Sequence, residues 1–266
     1  MLGKKIALAG LVICLIAGLS SCMFPLGWSS GSWNVSVSEG NGKTLNGDRN
    51  VEIKEVSLAD SEYRLVIEDI QFTGGRNWSG KIVIDESLRN EVVLSTDRNI
   101  LNTINITVDD ERIMVRGDRD FRYDSTEFEI RIGAKVNDFA IDGAFELQMD
   151  VPSVTEFSGT INGAVDGNMA FGQLDRFSLN INGAGTISIK GESERSAIVI
   201  NGAGEIRAFD FRTENTDITI NGTGTGNVYA ANALHVSING VGNVTYDGNP
   251  STINAGTGFL SSVKKR

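Results

Sequence analysis

Asn182, Gly183 and Gly185 stand in the phrase "INGAG", a Gly-rich stretch of the kind whose backbone N–H groups can cradle an anionic ligand. A ligand loop should occur once. This phrase recurs as "INGAV" from Ile161, "INGAG" from Ile181 and Ile200, "INGTG" from Ile220 and "INGVG" from Ile238. The intervals between those isoleucines are 20, 19, 20 and 18 residues. Such regularity marks architecture, in which each repeat is one unit stacked on its neighbours. "GTGTGN", residues 222–227, belongs to the same register and lacks both the Lys-Ser/Thr of a P-loop and a following helix.

The other groups with chemistry in them are sparse. A polysaccharide lyase or glycosidase needs carboxylates gathered on one face, as an acid and base pair or as calcium ligands beside a cation. Glu205 and Arg207 are neighbours, but in the repeat register no second carboxylate stacks directly on Glu205. Exposed opposite charges on one strand are ordinarily a solvated pair. The Asp109–Glu111 run reads as a solvated turn, and a calcium β-roll would need a nine-residue Gly and Asp repeat that is absent. The one histidine, His235, faces outward with no histidine or cysteine partner, so neither a metal site nor a triad is expected. No catalytic residue, metal or cofactor is expected.

The first 22 residues speak to compartment. Lys4 and Lys5, the apolar "IALAGLVICLIAGL" and "LSSC" have the layout of a secretory signal, and the apolar run is short for a membrane span. "LSSC" resembles a bacterial lipobox, with Ser20 and Ser21 suiting the peptidase pocket and the Cys22 thiol taking the diacylglyceryl group. The expected organisation is a lipoprotein signal peptide over 1–21, then a lipidated cysteine and tether over 22–39. Cys14 would leave with the signal, so the mature chain would have no disulfide and no thiolate metal site. Two acyl chains give stable anchoring, which makes a membrane the first expected partner. The expected location is the bacterial cell envelope, at the outer membrane, with the face left open. A formal charge of −10 argues against nucleic acid.

The elements that would position these residues follow from a period of 2 within each repeat. Leu179 and Ile181 point one way before the Asn-Gly, and Ile187 and Ile189 do so after it. Ile198 with Ile200, Ile218 with Ile220 and Val236 with Ile238 repeat the pattern. No repeat holds an amphipathic helix, so the fold class is all-β, a parallel β-helix with about 20 residues per coil and coils about 4.8 Å apart. Asn-Gly supplies the corner, because both residues tolerate positive φ. Stacking would bring Asn162, Asn182, Asn201, Asn221 and Asn239 above one another as an amide ladder beside the corner glycines Gly163, Gly183, Gly202, Gly222 and Gly240. The second glycines, at 185, 204, 224 and 242, are expected to allow close approach between coils. Ile141 with Asp142 is an earlier member of the series, and Ile253 with Asn254 a later, shorter one. Upstream of 126 the alternation is irregular, so 40–125 is read as wider coils capping the regular β-helix of 126–266, with a separate sandwich as the alternative.

"EVVLSTDRNILNTINITVDDERIMV", "TEFEIRIGAKVNDFAIDGA", the serial "INGAG" coils and "LHVSINGVGNVTYDGNPSTINAGTG" together resemble the head GIN-domain family of autotransporter-type adhesins, over about Gly40 to Val263. The resemblance implies a bacterial envelope protein, commonly a lipoprotein, with a single-stranded right-handed β-helix. It supplies no catalytic residues.

From Ile218 to Val263 the chain has one acidic residue, Asp247, and no Lys or Arg. Its outward positions are Thr, Ser, Asn and Gly, which hydrogen-bond without net charge. The expected function is a lipid-anchored, non-enzymatic β-helix for adhesion, ligand binding or scaffolding, with a glycan or an envelope protein as ligand. The alternatives are a polysaccharide-active enzyme and an envelope sensor or assembly partner. The terminal "VKKR" would guard the last coil, since Lys on an open edge discourages strand addition.

Overall fold

A computed structural model describes residues 42–73, 79–109 and 111–266. The expected signal peptide, Cys22 and the tether lie outside these residues. The first part holds strands β1 (Lys43–Asn46), β2 (Val51–Ser57), β3 (Glu62–Glu68), β4 (Gly80–Asp85) and β5 (Glu91–Asp97). A single helical turn, α1 (Arg98–Leu101), leads to β6 (Asn105–Val108), β7 (Arg112–Arg116), β8 (Phe121–Asp124) and β9 (Phe128–Ile132). From there the chain is almost continuous strand: β10 (Lys135–Val151), β11 (Glu156–Ile200), β12 (Ala203–Ala208), β13 (Phe211–Ile220) and β14 (Thr223–Tyr229). It ends with β15 (Ala233–Ile238), β16 (Val241–Asp247), β17 (Thr252–Thr257) and β18 (Ser261–Lys265).

A straight strand the length of β11 would reach roughly 150 Å at about 3.3 Å per residue. Instead β11 bends and lies on itself, with Asn182 on Asn162 and a Cβ at Gly183 meeting the Gly163 carbonyl. Two parallel ladders result. In the first, before each bend, Ile141 lies against Ile161, Ile200 against Ile220 and Ile220 against Ile238. In the second, after the bend, Ile187 lies against Ile206 and Val244 against Val263. Residues one sequence period apart are therefore neighbours in space, and the outward side chains fall into straight rows.

The alternating residues fill the interior. Leu179, Ile181, Ile187, Ile189, Ile198, Ile200, Ile206, Ile218, Ile220, Val236, Ile238 and Val244 are all buried, each contributing about 1.5–3 kcal/mol by removal from water. An aromatic string lies among them: Phe157 stacks on Phe177 with centroids 5.6 Å apart, and Phe177 meets Phe211 edge-on at 4.9 Å. Edge-on and offset contacts suit the quadrupole of the rings.

At the other end the sheet is mixed, which corrects the expectation of a uniformly parallel stack. β3 and β4 continue the two ladders in parallel, with Ile67 against Ile141 and Ile82 against Leu147. Beyond them β5 pairs antiparallel with both β9 and β2, and β6 pairs antiparallel with β7. For β6 and β7 the physical reason is loop length. The β6–β7 link is closed by Asp109 N–H donating to the Arg112 carbonyl at 3.0 Å, and so short a link can join only antiparallel strands. β1 and β8 form a separate two-stranded parallel sheet.

Asp97 ties this end together without belonging to any repeat. Fully buried, its carboxylate accepts from Arg49 N at 2.7 Å, from Thr126 N at 2.6 Å and from Thr126 Oγ1 at 3.0 Å.

The final motif also departs from its expected register. Ile253 pairs with Leu234 and Asn254 with His235, so "TINA" stands four positions ahead of the rung that Ile238 would assign to it. Thr257 is the residue opposite Ile238. Counting on, Gly258 falls in the asparagine row and Phe259 in the glycine row. Ser261 then resumes the second ladder opposite Gly242.

Candidate functional site

The asparagines of the repeated phrase form one hydrogen-bonded row. Asn182 Nδ2 donates to Asn162 Oδ1 at 2.9 Å, Asn201 to Asn182 at 2.8 Å, Asn221 to Asn201 at 2.8 Å and Asn239 to Asn221 at 2.9 Å. Asn201 Nδ2 also reaches Asn180 Oδ1 at 3.1 Å. Each of these four donors points its N–H toward the earlier rung of the row, so the dipoles align and each bond polarises the next. Asp142 takes the rung before Asn162 by strand register. Its carboxyl lies above the usual carboxylate range, first because burial disfavours its charged form and then because Asp69 and Glu68 are near. Asn254 stands outside the row and instead bonds His235 Nδ1 at 3.2 Å.

The glycines divide their work differently from the expectation. Among the five corner glycines only Gly163 (φ 144°) and Gly222 (φ 157°) have positive φ, so positive φ is not what all five require. What they share is proximity. A Cβ at Gly163, Gly183, Gly202, Gly222 or Gly240 would sit 1.9–2.3 Å from the carbonyl oxygen of the preceding glycine in the row. The close approach expected at the second glycines is present at Gly185, where a Cβ would sit 1.9 Å from the Val165 carbonyl oxygen, at Gly242, 2.5 Å from that of Gly224, and at Gly224, 3.0 Å from that of Gly204. At Gly204 the nearest atom to an added Cβ is 3.2 Å away. Stacked asparagine amides draw the backbones together at this bend, and only hydrogen fits beside the next carbonyl.

Beyond the bend, Thr186, Glu205, Thr225, Asn243 and Ser262 form one outward row, and Ser188, Arg207, Asn227, Thr245 and Lys264 a second. Glu205 is flanked by Thr186 and Thr225, so no carboxylate stacks on it. Its two oxygens accept from Arg207 Nε at 2.9 Å and Nη2 at 3.0 Å. The pair holds the Arg207 guanidinium in its charged form through that hydrogen bond and the nearby negative charge. Ser262 Oγ donates to Asn243 Oδ1 at 2.6 Å, and Asp166 Oδ1 accepts from Thr186 N at 2.7 Å. The surface is a flat lattice of short donors and acceptors.

A second feature lies at another bend. A groove of about 250 Å³ is lined by Gln173, Glu192, Glu194, Arg212, Glu214 and Tyr229, among others. Strand register places Glu192 beside Arg212, and the Arg212 guanidinium lies 4.9 Å from the centre of the Tyr229 ring. Below it, Thr213 and Thr216 are buried and both donate to the Tyr229 carbonyl, fixing the ring-bearing strand. An aromatic face flanked by carboxylates, an amide and a guanidinium suits a small polyhydroxylated ligand. Sequence reading missed this groove because Gln173 and Tyr229 lie far apart in the chain. The signal was the pair of charged runs "GESER" and "FRTEN", one period apart.

Among the described residues no three His, Cys, Asp or Glu side chains are grouped to hold a metal ion. Among the same residues no helix is long and apolar enough to cross a membrane.

Residues 76–250 match the family described as "putative auto-transporter adhesin, head GIN domain". Among solved structures, a "putative adhesin" from Bacteroides fragilis is 15% identical, with a TM-score of 0.65 over 84% of this chain and 100% of its own. A "putative lipid binding protein" from Parabacteroides distasonis is 19% identical, with a TM-score of 0.53 over 84% of this chain and 100% of its own. A "putative adhesin" from Parabacteroides merdae is 19% identical, with a TM-score of 0.51 over 84% and 99%. At these identities the likeness is one of fold. No curated protein matches the chain.

Proposed function

The chain belongs to the head GIN-domain family, and from that membership we propose a lipid-anchored protein of the bacterial cell envelope whose β-helix is a non-enzymatic display surface for adhesion or ligand capture. In this reading the two ladders wind as a single right-handed coil, Cys22 carries the acyl chains, and 22–39 is the tether. The anchor sits in the outer membrane. The ligand is a glycan or another envelope protein.

The observation that supports this reading is the pair of straight outward rows running from Thr186 to Ser262 and from Ser188 to Lys264. A lattice of hydroxyls and amides, in which Glu205 and Arg207 pair with each other, offers repeated hydrogen bonds at the spacing of the strands, about 4.8 Å. That spacing suits an extended polymer better than a single small molecule.

The groove favours a second reading, a polysaccharide lyase or glycosidase, because it gathers Glu192, Glu194 and Glu214 near Arg212. All three glutamates are exposed. A carboxyl that must keep its proton for acid catalysis ordinarily sits in a buried, apolar place, which argues against this assignment.

Two experiments separate the readings. Binding of the chain to a glycan array, reduced by Thr225→Val with Asn227→Ala on the outward rows and without product release, supports display. Turnover of an acidic polysaccharide that is abolished by Glu192→Gln or Glu194→Gln overturns it. Anchoring is tested independently: Cys22→Ala should end lipid labelling and membrane retention, and a variant that still fractionates with membranes would refute the acylated cysteine.

A further inference from the structure

After Asp247 the chain has no acidic residue and three cations, Lys264, Lys265 and Arg266, although the whole protein carries a net charge of −10. The cations all lie on the last winding. Arg266 is partly engaged, 3.7 Å from Asp247 and over the Phe209 ring at 4.7 Å. Lys265 reaches only the neutral Asn249 amide, at 3.3 Å. Charge is therefore segregated, with a basic end on an acidic molecule.

The same winding holds the two most exposed large apolar side chains among the described residues. Phe259 is 101% exposed and Leu260 63%, side by side in the turn between β17 and β18, and Ile253 is 44% exposed on β17. Scattered single apolar residues on a surface need no explanation. Two adjacent ones projecting from a turn, within six residues of two lysines, do.

We propose that this terminal winding is a membrane-docking tip, in which Phe259 and Leu260 enter the interface of a bilayer rich in anionic phospholipid while Lys264 and Lys265 meet its headgroups. Apolar side chains buried at the headgroup boundary and Lys or Arg at an anionic surface act together in peripheral binding. The occupant is identified by two complementarities. The basic charge matches an anionic surface, and a projecting Phe-Leu turn matches a soft apolar layer better than a hydroxyl-rich chain.

The test uses the chain with Cys22→Ala, so that no acyl anchor holds it on the vesicle, and Phe259→Trp, compared with the Cys22→Ala chain alone so that the signal of the native tryptophans is subtracted. Vesicles contain either phosphatidylcholine alone or phosphatidylcholine with phosphatidylglycerol, each with and without brominated acyl chains. The expected result is extra, blue-shifted emission from residue 259 that brominated lipid quenches in the anionic vesicles and that added salt releases. Lys264→Gln with Lys265→Gln should lower the docked-to-free ratio roughly 25-fold, at about 1 kcal/mol per lost cation. Emission at 259 that stays solvent-like on anionic vesicles overturns the proposal, as does equal quenching in neutral ones. Lipid-independent self-association that Phe259→Ser abolishes would instead assign the tip to a second copy. Unchanged thermal melts of the variants keep a null result decisive.

Discussion

Asn201 Nδ2 donates to Asn182 Oδ1 at 2.8 Å, and Asn201 Oδ1 accepts from Asn221 Nδ2 at the same distance. The row is therefore a chain of amides whose interior members, Asn182, Asn201 and Asn221, are each at once donor and acceptor. Removing an interior member breaks two links and the additional bond to Asn180, whereas removing Asn239 breaks one link of the row. Each exposed bond contributes about 0.5–1.5 kcal/mol net. Asn201→Ala should lower unfolding stability by about 2 kcal/mol and Asn239→Ala by about 1 kcal/mol. Chemical denaturation of the two variants checks the ratio; equal losses would mean that the row does not act as a connected chain.

The glycine row makes a sharper contrast. A Cβ at Gly183 would be 1.9 Å from the Gly163 carbonyl oxygen, a backbone atom that cannot swing aside, while at Gly204 the nearest neighbour is a methyl at 3.2 Å. Overpacking typically costs about 1–3 kcal/mol, and a clash with backbone belongs at or beyond the top of that range. Gly183→Ala should destabilise by about 3 kcal/mol or prevent folding, and Gly204→Ala by less than about 1 kcal/mol. Denaturation midpoints of the pair decide it, and a tolerated Gly183→Ala would remove the steric account of the repeated phrase.

Much of this was legible in the sequence, and the boundary of legibility has a physical cause. Asn-Gly recurs at the spacing by which Ile161, Ile200, Ile220 and Ile238 find one another, so local composition and long-range register carry the same information there. β3 stacks on β10 with no Asn-Gly to announce it, and the antiparallel β2–β5–β9 run depends on pairings that no period encodes. The steric role of Gly183 was hidden for another reason. Sequence shows that a glycine is present but not whether φ or a neighbour's carbonyl demands it. The Tyr229 groove is assembled from residues between Gln173 and Ala231, and neither run of charges that lines it contains the aromatic ring.

Asp97 supplies a prediction for the irregular end. Its buried carboxylate accepts three hydrogen bonds, two of them from Thr126. Bonds to a charged acceptor contribute about 1.5–3 kcal/mol each, and donors left buried without a partner add their own cost. Asp97→Ala should destabilise by at least about 3 kcal/mol, while Thr126→Val, which removes the hydroxyl bond to Asp97 and keeps the backbone one, should cost about 1–2 kcal/mol. Hydrogen exchange on β2 and β5 should rise in Asp97→Ala before it rises on β15. Uniform loss of protection would show that Asp97 does not act locally.

Asp142 heads the asparagine row with a carboxyl raised above the ordinary aspartate value. Partial burial is the first cause, and repulsion from Asp69 and Glu68 follows. Because the folded protein holds this proton more tightly than the unfolded chain, the folded state binds more protons in the window that opens just below pH 4 and extends upward. Stability from this group is full below that window and is lost as pH rises through the folded value. Asp142→Asn removes the charge and places an amide on the rung beside Asn162, in the register that the strands already provide. The variant should be more stable than the parent at pH 7, by about 0.5–1 kcal/mol, the scale of one exposed interaction. The advantage should shrink as the pH is lowered toward 4. Parallel denaturation series at pH 4 and pH 7 check the sign, and an advantage that grew on acidification would reverse the assignment of Asp142 as a carboxyl disfavoured in its charged form.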